Sequence, residues 1–182
     1  MKLRRRHLLV APALLSAPAV LAQPKGQPKR VEIPLKWYRV QVEDNAFTVE
    51  MPGIPDHRIV NDRSPRGTVF TLHSYSLETG GYSYVVQTAL YPEDVDVTQP
   101  RRILQAALDD RARQLAGRQW AKVEWRDAQG AAAVEASGPL AAGNALRQLV
   151  MLKQHRFVLL AFLGSIVSSV EAERFFRSVK LA

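Results

Sequence analysis

The apolar residues of this chain change their period three times, from alternation to helical spacing, back again, and to helical spacing once more. That order restricts the fold more than any other feature. Residues 67–77 and 82–91 are two long β-rich runs joined by Glu78-Thr79-Gly80-Gly81, a strong hairpin signal. A turn symmetric about that tetrapeptide sets Tyr75 opposite Tyr84 and Leu77 opposite Tyr82 on one face of a sheet. Then Ile103, Leu104, Ala107, Leu108, Ala112 and Leu115 recur at helical spacing. Thr98 is placed to cap this helix, Pro100 sits in its first turn and Gly117 can end it. Its charged residues, among them Arg101, Arg102, Asp109, Asp110 and Arg113, should face water.

On either side of that centre the pattern is again β-like. Residues 37–42 and 47–51 read as strands around the polar turn Glu43-Asp44-Asn45, and Met51-Pro52-Gly53-Ile54-Pro55 stops the second. A short strand is expected near 58–61. Strands resume at 121–125 and 131–136 around Asp127-Ala128-Gln129-Gly130, and continue at 145–152 and 155–163. Ser168 followed by Glu171 forms a capping box for a last helix, with Val170, Arg174, Phe175 and Val179 bracketing its buried side. A short terminal strand including Lys180 and Leu181 is expected to follow. The expected fold class is α+β: a central, mostly antiparallel sheet with helices packed on it.

The first 22 residues read as an export signal. Lys2, Arg4, Arg5 and Arg6 make a positive start, Leu8 to Leu15 is a short apolar core, and Val20-Leu21-Ala22 is a small-residue cleavage site before Gln23. The apolar run is shorter than the roughly 20 residues that span a bilayer, and Pro12 and Pro18 interrupt it, so no permanent membrane anchor is expected. The mature protein is placed in the periplasm or outside the cell. Arg5-Arg6-His7-Leu8-Leu9 resembles the twin-arginine export motif; an ordinary arginine-rich signal for unfolded export reads the same way. Residues 23–34, with Pro24, Pro28, Pro34 and Gly26, read as a flexible tether. Residues 35–182 are of a size for a single domain. The chain has no cysteine, so it must fold without disulfides and carries no thiol for a lipid.

The formal charge of +8 invites a nucleic-acid reading, but 25 basic residues against 17 acidic ones are unevenly placed. Four of the basic residues lie in the export signal, and Lys25, Lys29 and Arg30 lie in residues 23–30, with no acid in either stretch. From Val31 onward 18 basic residues face 17 acidic ones. So small an excess gives little counterion-release affinity, and nucleic-acid binding is excluded.

Candidate chemistry is sparse. Beyond the signal the histidines are His57, His73 and His155, and no pair has metal-ligand spacing on a helix. Asp56 and His57 share a proline-flanked loop and are weak metal candidates; an exposed pair is the plainer reading. His73 falls on the strand face of Tyr75, as a hydrogen-bonded histidine rather than a base. Glu93-Asp94-Val95-Asp96 lacks the further ligands of a calcium loop and suits capping before the helix. Ser165 follows Gly164 outside any nucleophile elbow, and Gly80-Gly81 precedes a strand, not the helix that a phosphate cradle needs. Tyr75, Tyr82 and Tyr84, with Tyr91 near by, form the one notable cluster. On an open sheet face they make a binding platform; beneath a helix they are core.

Two segments carry a family resemblance. Phe47-Thr48-Val49-Glu50-Met51-Pro52-Gly53-Ile54-Pro55 resembles the aromatic-x-Val-x-Phe-Pro-Gly-x-Pro opening of PsbP-like domains, with Met51 in place of the aromatic before Pro-Gly. Arg174-Phe175-Phe176-Arg177-Ser178-Val179-Lys180-Leu181 resembles their closing segment, with Val179 for its last Phe, and Arg156 to Leu160 resembles their penultimate strand. The resemblance implies a sandwich of helices about a central antiparallel sheet. It also implies work through protein contacts, as in photosystem accessory proteins and their bacterial periplasmic relatives. The expectation is an exported, non-catalytic protein without a cofactor that binds or helps assemble another cell-envelope protein. The alternatives are a small-ligand or metal-binding protein using the gap between sheet and helix, and, third, an enzyme whose site has no recognisable motif.

Overall fold

The computed structural model describes residues 36–41 and 46–182. The expected signal peptide, its Ala22–Gln23 cleavage point, the Arg5-Arg6 pair, the tether and the turn at 43–45 lie outside these residues. Among the described residues the strands are β1 (Tyr38–Gln41), β2 (Phe47–Met51), β3 (Asp56–Arg63), β4 (Val69–Thr79) and β5 (Tyr82–Leu90), followed by helix α1 (Pro100–Ala112). Then come β6 (Lys122–Ala128), β7 (Ala131–Pro139), β8 (Ala145–Lys153), β9 (Arg156–Gly164), helix α2 (Val170–Arg177) and β10 (Lys180–Leu181).

Seven strands form one sheet in the order β3-β4-β5-β9-β8-β7-β6, with every neighbour antiparallel. Two meanders, β3 to β5 and β6 to β9, are joined where β5 pairs with β9. The chain leaves the middle of the sheet at β5 and re-enters at the far edge as β6, so α1 must cross over one half of the sheet. It packs on β7 and β8. Leu104, Leu108 and Leu115 meet Val134, Val150 and Leu159 there in one buried cluster. The central strands are apolar on both faces because both faces are covered, as in Phe157 to Phe162 of β9, where every residue is buried.

The opposite face carries α2 and a second sheet, β1-β2-β10, in which β10 pairs with β2 through Leu181 and Phe47. Phe47, Val49 and Met51 alternate inward from β2, and Phe175 and Phe176 drop from α2 into the same core. Tyr84 stands at its centre, edge-on to Phe162 and Phe175 at centroid distances of 5.1 and 5.4 Å. The α+β architecture expected from the sequence is present, with the three-stranded sheet sharing the layer of α2.

Several local expectations are corrected. Gly80 and Gly81 both have positive φ, 62° and 80°, and close a two-residue turn. Pairing therefore runs to the turn, with Thr79 opposite Tyr82, Leu77 opposite Tyr84 and Tyr75 opposite Val86. The shift is an even number of residues, so the tyrosines keep their common face. The strand near 58–61 is eight residues long, Asp56–Arg63, and forms an edge. Asp56 and His57 are thus in a strand, not a loop. Thr98 does not cap α1: its backbone N–H and its hydroxyl both donate to the Asp96 carboxylate, and Gln99 takes the N-cap position without a side-chain bond. Gly117, φ 75°, belongs to a short turn beyond the helix. For α2 the capping serine is Ser169, whose Oγ accepts the Ala172 N–H at 3.2 Å. Val170 is then turned to solvent, 82% exposed, and Ala172 takes the inner position.

A candidate binding groove

Because α1 crosses only the β7–β8 half of its face, the β3-β4-β5 half is left without a helix above it. A groove of about 570 Å³ lies there, between the sheet and the C-terminal end of α1. Its floor follows from strand alternation. Tyr75 and Leu77 of β4 face the core, so Ser74, Ser76 and Glu78 face the groove. On β5, Tyr84 and Val86 face the core, so Ser83, Val85 and Gln87 face the groove. The β3 edge adds Asp56 and Arg58, opposite Ser76 and Ser74. Helix α1 contributes Arg111 and the following turn Gln114.

Two polar groups in this groove stand out. Gln87 is 5% exposed next to the buried Thr88 of β5, and among the described residues its side-chain amide has no hydrogen-bond partner. Arg111 donates from Nη1 to the neutral Oε1 of Gln114 at 3.2 Å and makes no ion pair with a described carboxylate. Burial pushes its pKa down from the ordinary value, with Asp110 acting weakly the other way; it remains a cation. Both positions leave a trace in the sequence. Leu104, Leu108, Arg111 and Leu115 share one helical stripe, so Arg111 stands where an apolar residue is expected. Gln87 similarly interrupts Val85, Val86 and Ala89. Neither trace alone marks a site, because the size of the opening depends on the path of α1.

Apart from Asp56, the residues singled out from the sequence lie elsewhere. Tyr84 is fully buried and Tyr75 is 7% exposed, so they build the core and cannot form a contact platform. Tyr82 is half-buried against Phe162, and Tyr91 packs on Phe70 and Phe157. The β3–β4 register brings His57 and His73 together, Nε2 to Nδ1 at 3.2 Å, with the His57 ring stacked on Tyr75 at 4.3 Å. Asp56 points to the opposite face of the strand from His57, so the Asp56–His57 metal pair is not formed. Among the described residues no three metal-ligating side chains gather. Asp94 instead accepts the hydroxyls of Ser64 and Thr68, pinning the 64–68 turn.

A seven-stranded antiparallel sheet with helices on both faces defines an α+β domain of PsbP-like fold. The solved structure of cyanobacterial PsbP (CyanoP) from Synechocystis sp. PCC 6803 superimposes on it with a TM-score of 0.50 and 14% identity, covering 88% of this chain and 100% of that one. That likeness is one of fold. No family model and no curated protein matches the chain. No helix among the described residues is long and apolar enough to cross a membrane.

Proposed function

We propose that this is an exported, non-catalytic accessory protein of the PsbP-like group that holds a segment of another cell-envelope protein in the groove beside α1. The observation that carries the reading is the half-covered sheet face, where polar side chains stand over a buried floor in place of a third packing helix. The export signal and tether at the N-terminus support placement in the envelope, and the tether would let the domain reach its partner. A second reading, capture of a small ligand, is favoured by the groove volume, which lies within the usual range of about 300–1,000 Å³ for such sites.

Ser74→Trp fills the groove from its floor, whereas Lys122→Ala alters the distant β6 edge. Capture of an envelope partner by the full chain should be lost with the first change and retained with the second. Equal capture by both variants would sink the groove reading, and turnover of an envelope substrate would overturn the non-catalytic one.

A further inference from the structure

We infer that the groove recognises a carboxylate through Arg111, on a ligand whose remainder is neutral or cationic, such as an amino acid or the C-terminal end of a peptide. This deepens the groove reading above and rests on it. Arg111 is the carrier. A planar guanidinium presents a fork of N–H donors suited to a carboxylate, and among the described residues only the neutral Gln114 accepts from that fork. Its partial withdrawal from water makes the missing counter-charge expensive, and an incoming anion finds less competition from solvent. Gln87, Ser74 and Ser76 add neutral polar groups along the floor, and the Gln87 amide, which bonds no described residue, is free to serve a ligand there.

The rest of the lining limits what the ligand carries. Asp56 and Glu78 also face the groove, and Arg58 stands beside Asp56 on β3. The four charges balance, so the groove as a whole does not attract polyanions. A second carboxylate on the ligand would meet Asp56 or Glu78, while an ammonium or amide N–H would be welcomed there. A dicarboxylate is therefore rejected relative to a zwitterion of similar length.

Three probes separate these cases on the full-length processed protein: the dipeptide alanylalanine, its C-terminal amide, and succinate. The readout is the Nε–Hε resonance of Arg111 followed by NMR during titration. Alanylalanine should shift that resonance saturably in the millimolar range; the amide should not, and succinate should bind at least about tenfold more weakly. Arg111→Gln, which keeps a hydrogen-bonding side chain at the helix end, should abolish the dipeptide response at the remaining groove resonances with the melting temperature held. Binding of the amide as tight as that of the acid, or no groove response to alanylalanine, overturns the inference. Succinate binding tighter than alanylalanine points to free organic diacids and overturns the charge-selection half. Failure here is distinct from failure of the groove reading: Arg111→Gln would then keep partner capture while Ser74→Trp loses it.

Discussion

Tyr82 occupies the space that a side chain at residue 164 would need: a Cβ placed on Gly164 falls 2.8 Å from Tyr82 Cε1. The glycine on β9 lets the β5 tyrosine lean across the strand pair and reach Phe162, at a centroid distance of 5.0 Å. Gly164→Ala should therefore destabilise by about 1–3 kcal/mol through overpacking. Tyr82→Ala removes the obstruction, so the double variant should lose less than the two single losses combined. Urea unfolding of the four species in the cycle measures the coupling; strict additivity would mean that the two residues do not contend for the same space.

Tyr84 is a core residue whose hydroxyl finds no partner among the described residues. Tyr84→Phe should leave stability unchanged or raise it by up to about 1 kcal/mol, because the unmet hydroxyl goes and the ring stays. Tyr84→Ala should lower it by about 3–5 kcal/mol. Burial, reinforced slightly by Glu171 and Tyr82, pushes the Tyr84 pKa above its ordinary value, and burial with Asp62 does the same for Tyr91. A raised pKa in the folded state means that the folded protein holds these protons after the unfolded chain has released them. Their contribution is thus present below pH of about 10 and falls as pH rises above it. Tyrosinate absorbance should stay below the full complement of tyrosines until the protein unfolds in alkali.

Arg147 ties α2 to the sheet. Its guanidinium bonds Glu135 at 2.6 Å and Glu173 at 2.5 Å, and lies over the Phe176 ring at 4.6 Å. Burial alone would lower its pKa, but the bonds to Glu173 and Glu135 outweigh that and raise it. The same hydrogen bond holds the Glu173 carboxyl below its ordinary range. Arg147→Met leaves Glu135, 14% exposed, with Arg126 as its remaining ion-pair partner, and should cost about 1–3 kcal/mol at neutral pH. A lowered carboxylate pKa gives stability that is present above the unfolded value and is lost as pH falls below about 4.5. The variant should show a shallower loss of unfolding midpoint between neutral and acidic pH than the parent.

What the sequence discloses here depends on how local the cause is. β2 is legible to the residue because the Pro52-Gly53 stop follows Met51 directly. The hairpin partners were misplaced by two residues because Glu78 and Thr79 look like turn residues, while only the two glycines adopt left-handed φ. The Ser168–Ser169 ambiguity is the usual one-residue uncertainty of two adjacent capping hydroxyls. The edge strand β3 was shortened because all but Asp62 of its residues are exposed, leaving no apolar face to reveal its length. The tyrosine cluster is legible in the sequence, but whether it is core or surface depends on α2 and β2, which arrive from opposite ends of the chain. The groove is the least local feature: it exists because α1 must travel from β5 to β6 and passes over only half of the sheet.

The final segment should be indispensable to folding. Phe175, Phe176 and Val179 are buried in the core around Tyr84, and β10 completes the small sheet by pairing with β2. Ser178 adds a tie at the join, its Oγ accepting the Glu50 N–H at 2.8 Å while its hydroxyl donates to the Phe175 carbonyl at 2.7 Å. Each lost Phe alone accounts for about 3–5 kcal/mol, against a total of about 5–15 kcal/mol for a domain of ordinary stability. A chain ending at Ser168 should therefore show no cooperative thermal transition and should expose apolar surface to a hydrophobic dye. Phe175→Leu, which keeps most of the volume, should fold with a lowered melting temperature. A truncated protein that melts cooperatively near the parent temperature would mean that the large sheet and α1 form a complete core without α2.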